Sequence, residues 1–463
     1  MKNLWKNKEL NKHTWTDLLA AGLIVGACIV VMGVSLFSEF GMHPDEWDVK
    51  VCLEWGTTHW IWPDMRAKGL GDTYSWYGYT KVCNYTPYFL VAGKIAGVFK
   101  WILGLFTNGG VWPYYRVPNL LLMIGMTAFI IRKFLKERSF YLLIAFGISV
   151  QAWYIFSYVT ADARDFVWAF VSIWLLADKD SLLWRNLQNK EQADGSLSLP
   201  TRDLVGCIVL GLIYGMMLLG KPYYYANMVM TFIVLLLYLI KTLDKSERRL
   251  LWKKYLIIVG VCVAVFAARF GLDIYYYGGD KAEVKQQMAE MYASDDKKPS
   301  TPVEEQCQTY HMAEKGYKLT DLFTLDEGWA ERSFKSFVSA RTIIQGDNWY
   351  FIIMGVIYAA IYIWIGVACF SGHKIVFIAG TILNIGGVIA SILNSYLIDA
   401  QAQGRYLLPI LLTTAYMASL VPKLWDNKLF RGVVLLASFL SLMYFGLFDA
   451  RKLIDMAYVR SII

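Results

Sequence analysis

A carboxylate pair, Asp45 and Glu46, stands in GMHPDEWDVK, directly after the first long apolar stretch of the chain. A third acid, Asp162, sits in VTADARDF. Three bases stand at the ends of apolar runs: Lys221 in LGKPYYY, Arg341 in SARTIIQGD and Arg405 in QGRYLLP. A positioned carboxylate can take a proton from a hydroxyl. A lysine ammonium, or an arginine fork near a helix N-terminus, suits phosphate and other anions. Two adjacent acids also repel each other, which is expected to lift one pKa toward that of a useful base. Together these residues suit a site that handles an anionic, phosphate-bearing headgroup and a proton.

Each residue also has a plainer role open to it. Asp45 after Pro44 suits a helix cap, Asp162 a turn, and Lys221 a side chain that reaches out of a span toward water. An aromatic-rich stretch, including Trp47, Trp76 and Tyr77, follows the acidic pair. Such rings can stack on sugars or serve as an interfacial belt, and composition does not separate the two. His43 and His59 share this stretch, but no HExxH or Cys/His ligand set accompanies them. A divalent cation on hard oxygen ligands is compatible with Asp45, Glu46 or Asp162, although no motif requires one. The chain has no Walker A loop, no GxGxxG and no GxSxG elbow, which removes support for nucleotide-driven transport and serine hydrolysis.

The elements that must position these groups are membrane helices. Of 463 residues, 57% are hydrophobic and 16% aromatic, and several nearly uncharged runs reach the length of a bilayer core. The first, residues 17–37, is too long and lacks the cleavage site of a signal peptide, so a retained helix is expected. The net charge of +8 comes from short basic loops between apolar runs, a pattern of orientation signals rather than of nucleic-acid binding. The seven cysteines are scattered without CxxC spacing, and read as packing residues. NYT at 84–86 is a formal glycosylation sequon.

The basic N-terminus KNLWKNKELNKH should be cytoplasmic, which carries HPDE to the outer face. Basic loops at 131–138, 241–254, 371–374 and 422–431 are then inside. An odd number of crossings must separate HPDE from the loop at 131–138, so run 86–106, which carries Lys94 and Lys100, is assigned to the interface as an amphipathic helix. The next run, about 115–133, is the better span. Further spans follow at about 139–159, 164–178, 203–220, 223–240, 255–273, 349–370, 375–394, 405–421 and 431–447, giving an all-α polytopic protein of about eleven transmembrane helices. Three parts result. An N-terminal transmembrane module covers 1–273 and includes outer loop 38–114. A polar outer loop or small subdomain covers 274–347, and C-terminal helices cover 348–463. The inside loop 179–202 reads as a linker. All the candidate acids and bases fall on the outer face, where ionisable groups at membrane depth mark function.

HPDE, an acidic pair soon after the first span and in a large outer loop, resembles the GT-C superfamily of integral-membrane glycosyltransferases, particularly its eukaryotic mannosyltransferases. The stretches PDE, YVTADARDFVWAF, LGKPYYY and QGRYLLPIL are similar to a bacterial polytopic family grouped near GT-C. The likeness runs from about residue 15 to 420 as dispersed motifs, of which QGRYLLP is the most specific, and WDVKVC departs from the usual pattern. The resemblance implies a GT-C-like fold with interfacial helices in the first outer loop. It also implies inverting transfer from a polyprenyl-phosphate sugar donor, on the extracytoplasmic face of a bacterial plasma membrane. The acceptor would be a cell-envelope glycan, a lipid-linked glycan or a protein. Asp45 matches the general base, with Glu46 its neighbour and substitute, and Asp162 resembles the second acidic position. Lys221 and Arg405, with Arg341 behind them, are the candidates to meet the lipid phosphate. Rival readings are a flippase for lipid-linked sugars and a non-catalytic subunit of glycan assembly; no internal repeat of the transporter kind is found.

Overall fold

Apolar runs inside a bilayer must pair their own backbone groups, and a helix does so within one segment. The computed structural model describes residues 15–105, 113–188, 199–242, 244–325, 328–340 and 348–455. Among these residues the chain is helical, with two isolated bridges, Tyr74 to Thr80 and Tyr310 to Asp399. The basic N-terminal segment, Arg341 and linker residues 189–198 lie outside the described residues.

The helices are α1 (Trp15–Phe37), α2 (Glu46–Thr58), α3 (Tyr88–Gly104), α4 (Val117–Glu137), α5 (Val150–Tyr154) and α6 (Ala161–Ala177). Then come α7 (Leu182–Gln188), α8 (Thr201–Leu218), α9 (Tyr225–Lys241), α10 (Lys245–Tyr277), α11 (Lys281–Tyr292) and α12 (Asp321–Thr324). The last six are α13 (Trp329–Val338), α14 (Asn348–Phe370), α15 (Lys374–Leu397), α16 (Leu408–Ser419), α17 (Lys428–Tyr444) and α18 (Ala450–Ile454).

Among the described residues eight helical stretches are long and apolar enough to cross a membrane: Trp15–Phe37, Tyr114–Glu137, Thr201–Leu218, Pro222–Lys241, Lys245–Tyr277, Asn348–Phe370, Lys374–Leu397 and Lys428–Ile454. Several of them leave apolar side chains uncovered. Ile378, Ile382, Ile385 and Ile389 of α15 and Ile352, Val356, Ile363 and Val367 of α14 are all exposed. In water such stripes would drive association. In lipid they are the expected outer surface, and the chain has the character of an integral membrane protein.

Three of the expected spans take a different form. Run 139–159 becomes a wide helical turn, Leu143–Gly147, followed by the five-residue α5, while run 164–178 becomes the 17-residue α6. Run 405–421 becomes a tight turn, Gly404–Leu407, and the 12-residue α16. These segments are buried on nearly every side, α16 without a break from Leu411 to Ala418. Their uniform apolarity reflects burial against protein rather than contact with lipid. The long helices pack around them, and close approach is built in where it is needed. A side chain at Gly211 of α8 would meet the Ile258 carbonyl of α10 at 2.8 Å, so GLIYG gives these helices backbone-level contact.

Ion pairs sort the helix ends into two groups. At one end Arg138 after α4 lies 3.7 Å from Asp17 at the start of α1, and Lys133 lies 2.7 Å from Asp178 after α6. His373, just before α15, is held below its ordinary value by burial and by the charges of Lys179 and Lys241. The opposite end carries both long loops, which touch. The Met65 amide donates to the Tyr277 hydroxyl at 2.9 Å, the Ser294 amide to the Trp76 carbonyl at 3.0 Å, and Tyr74 stacks on Tyr292 at 4.3 Å. The loop after α1 and the 278–310 segment therefore form one layer over this end.

Candidate functional site

The HPDE turn is fixed by its two inward-facing side chains. His43 bridges the Ser38 hydroxyl (2.8 Å) and the Tyr154 hydroxyl (2.9 Å), and stacks on Tyr158 at 5.1 Å. Glu46 is buried and takes the Arg116 guanidinium through two bonds, Nε to Oε1 at 2.6 Å and Nη2 to Oε2 at 2.9 Å. The Gly41 amide also donates to Glu46 Oε2 at 2.9 Å. Arg116 in turn donates to the carbonyls of Ser35 (2.9 Å), Ser38 (3.0 Å) and Glu39 (3.0 Å), where α1 ends and carbonyls lose their helical donors. An arginine thus closes one helix terminus, and Glu46 balances its charge.

Asp45 turns the other way. It adopts φ 58°, a left-handed conformation that Asp tolerates better than most residues. Adjacent acids are thereby sent to different partners. Asp45 Oδ2 meets Lys81 Nζ at 3.0 Å, and 39% of its side chain stays open to solvent. Desolvation pushes its carboxyl up, but the charges of Lys81, Arg405 and Lys221 outweigh that and hold it below the usual carboxylate value. This corrects the expectation of a raised base in the HPDE pair. Instead Asp48, one turn along α2, is raised by burial, opposed by Lys81 and helped by the charge of Asp45.

The second half of the site grows from α6. Thr160 caps that helix by accepting from the Asp162 amide at 3.3 Å, and places Asp162 in the first turn. The buried Asp162 carboxylate accepts from Arg405 Nη1 at 2.9 Å and from the Tyr223 hydroxyl at 2.6 Å, with Lys221 Nζ 3.9 Å away. Pro222 opens the turn that presents Tyr223. The Lys221 amide is held by Asp165 Oδ2 at 3.0 Å, and Asp165 is paired with Arg164 at 2.6 Å. In QAQGRY, Tyr406 donates to Gln401 at 2.7 Å and Gln401 to Asp399 at 2.6 Å, which fixes the turn bearing Arg405.

The two halves are coupled electrostatically. Arg405 and Lys221 both act on Asp45, and the Tyr79 phenol, pushed up to about 12 by burial and then by Asp45, senses Arg405 and Tyr406 too. Tyr158, stacked on His43, also lies within the field of Arg405. No protein-family model, curated protein or solved structure matches this chain. Its site is therefore read from geometry.

Of the residues singled out in sequence, Asp162, Lys221 and Arg405 meet directly, Asp45 lies within the field of Lys221 and Arg405, and Glu46 anchors the turn that carries Asp45. Arg341 lies outside the described residues. Among the aromatic candidates, Tyr77 stacks on Tyr310 at 6.0 Å and lies within the field of Asp45. Trp76 stands next to Tyr77 at 5.0 Å and covers Lys297 Nζ at 4.0 Å. Trp47 packs edge-on against Phe40 at 4.6 Å. Lys81 and Arg116 were not expected. Arg116 precedes a span at the same end as HPDE and departs from the positive-inside trend as Arg405 does, a signal that could have found it. Lys81 in YTKVC carries no such mark.

Asp45, Glu46 and Asp162 each face a side-chain cation, and among the described residues no three His, Cys, Asp or Glu side chains converge as a metal set. The arrangement can hold an anion at Lys221, 41% of whose side chain is exposed, and at Arg405, with an ionised carboxylate opposite.

Proposed function

We propose that the chain is a GT-C-type glycosyltransferase that moves a sugar from a polyprenyl-phosphate donor to a hydroxyl of a cell-envelope or lipid-linked glycan. The reaction would take place on the extracytoplasmic face, with inversion. The observation that carries this reading is the convergence of an ionised, solvent-reached carboxylate, Asp45, with Lys221 and Arg405 in one electrostatic neighbourhood. In this reading the three short buried segments complete about eleven crossings.

The acceptor oxygen bonds to the anomeric carbon, and its proton passes to Asp45. The bond from that carbon to the donor phosphate breaks, and polyprenyl phosphate leaves with one more negative charge. Lys221 and Arg405, already held in place by Asp165 and Asp162, would meet that charge without waiting for solvent to reorganise. Asp162 orients Arg405 and prevents it from pairing with Asp45. Tyr77, with Tyr310 and Trp76 beside it, offers faces for the sugar.

Purified protein in nanodiscs, given a radiolabelled polyprenyl-phosphate sugar and an envelope glycan acceptor, should transfer label. Asp45→Asn should abolish transfer while leaving the fold intact. Transfer that persists in the Asp45→Asn, Glu46→Gln double variant would sink the assignment. A second reading, movement of lipid-linked sugar across the membrane, draws on the interrupted helix at 143–154, since broken helices are common in transporters. Labelled donor that crosses liposome membranes without sugar transfer would favour it.

A further inference from the structure

A groove of about 790 Å³ lies away from the Asp45–Asp162 site, between α2, α3 and the turn Tyr114–Arg116. Its origin is a helix crossing. Gly56 of α2 and Gly93 of α3 meet with almost no space between backbones: a side chain at Gly93 would come within 2.6 Å of the Leu53 carbonyl oxygen. Alongside this crossing Glu54 and Thr57 form one wall, and Ala96, Gly97 and Lys100 the other.

Its charge is positive. Lys94 Nζ donates to the Thr57 carbonyl at 2.8 Å and lies 4.4 Å from the centre of the Trp60 ring. Lys100 Nζ lies 5.5 Å from the centre of the Tyr114 ring. Among the described residues neither lysine has a carboxylate within ion-pair distance. Glu54, the acid in the groove, is already met by the Tyr115 hydroxyl at 2.9 Å and Lys50 at 3.9 Å. Two ammonium groups are left to face whatever enters.

The groove also has a fixed depth. The span Tyr114–Glu137 begins with a residue that lines it, so it opens at the level where that span leaves the apolar layer. In its lining Trp60 is 75% and Trp101 68% exposed, and Val91 and Val98 of α3, with Leu105 just after it, are also exposed. Tryptophan at this level and apolar side chains below it are the surface of a segment lying in a membrane interface.

We propose that this groove binds the phosphate headgroup of an anionic membrane phospholipid, with Lys94 and Lys100 at the phosphate and the acyl chains along the exposed face of α3. The site requires membrane insertion but not the transferase reading, so each stands or falls separately.

Native mass spectrometry of the full chain released from detergent, titrated with phosphatidylglycerol or phosphatidylcholine, reads it directly. Wild-type protein should retain phosphatidylglycerol preferentially, and Lys94→Gln and Lys100→Gln should each weaken that retention by roughly fivefold, the scale expected for one basic residue at a charged lipid surface. Lys94→Arg with Lys100→Arg should keep the preference. Lys100→Gln alone serves if Lys94→Gln fails to fold, because Lys94 holds the Thr57 carbonyl whereas Lys100 touches only the Tyr114 ring among the described contacts. Equal retention of both lipids, or an undiminished preference in Lys100→Gln, overturns the proposal. Displacement of the lipid by millimolar inorganic phosphate also overturns it, because the site would then be one for free phosphate.

Discussion

Arg405 and Asp162 lie 243 residues apart in sequence and meet at 2.9 Å, Nη1 to Oδ2, at the bottom of the candidate site. Asp162 is fully buried and Arg405 nearly so, and the pair joins the first turn of α6 to the turn before α16. A buried carboxylate of this kind is tolerated only while its partner is present.

Arg405→Gln should therefore cost about 3–5 kcal/mol, because it strands the Asp162 charge. Adding Asp162→Asn should recover most of that loss. The midpoints of thermal unfolding in detergent, for both singles and the double, measure the coupling. Additive losses would show that the two side chains do not depend on each other.

Lys81 sets the acidity of Asp45. With a depressed folded value, the Asp45 pair contributes stability above the ordinary unfolded carboxylate pKa and loses it as pH falls through the lower folded one. Transfer should accordingly stay flat through mildly acidic pH. Lys81→Gln removes the largest of the three opposing charges, leaves Arg405 and Lys221 in place, and should move the acid limb of the rate profile to higher pH. A profile identical to wild type would mean that Asp45 is not the titrating base.

Glu46→Gln should reduce folded yield and stability by about 3–5 kcal/mol, since it leaves Arg116 buried without its counter-charge. Glu46→Gln combined with Arg116→Gln should be more stable than either single. Full stability of Glu46→Gln with complete loss of transfer would instead make Glu46 the base.

Gly93→Ala tests the crossing of α2 and α3. The added methyl meets backbone atoms of Leu53 and Gly56 at 2.6 Å, which cannot rotate away, so a loss of about 1–3 kcal/mol is expected. Phospholipid retention should fall with it. A neutral result would show that the two helices can slide apart freely.

Hydropathy revealed the eight long helices because each run of about 20 apolar residues needs no partner to be recognised. It also marked residues 139–159, 164–178 and 405–421 as spans. There it could not distinguish a segment facing lipid from one buried in protein, and their short, broken forms follow from packing that composition does not encode. The convergence of Asp162, Lys221 and Arg405 was legible, because counting basic loops placed three misfit charges at one end. The split between Asp45 and Glu46 was not. It depends on one left-handed residue and on Arg116, 70 residues away from Glu46. Lys81 reaches Asp45 through the fold of an irregular loop, where no periodicity guides prediction.

Biogenesis feels the reach of the Asp162–Arg405 contact. A nascent chain emerges with Asp45 and Asp162 early, and the arginine that hydrogen-bonds Asp162 is not translated until residue 405. Until then Asp45 has Lys81 and Asp162 has the more distant Lys221, and the tighter arginine contact is missing. The Asp162–Arg405 contact thus closes only after residue 405 has been made, and a product truncated before that point would carry Asp45 and Asp162 without Arg405.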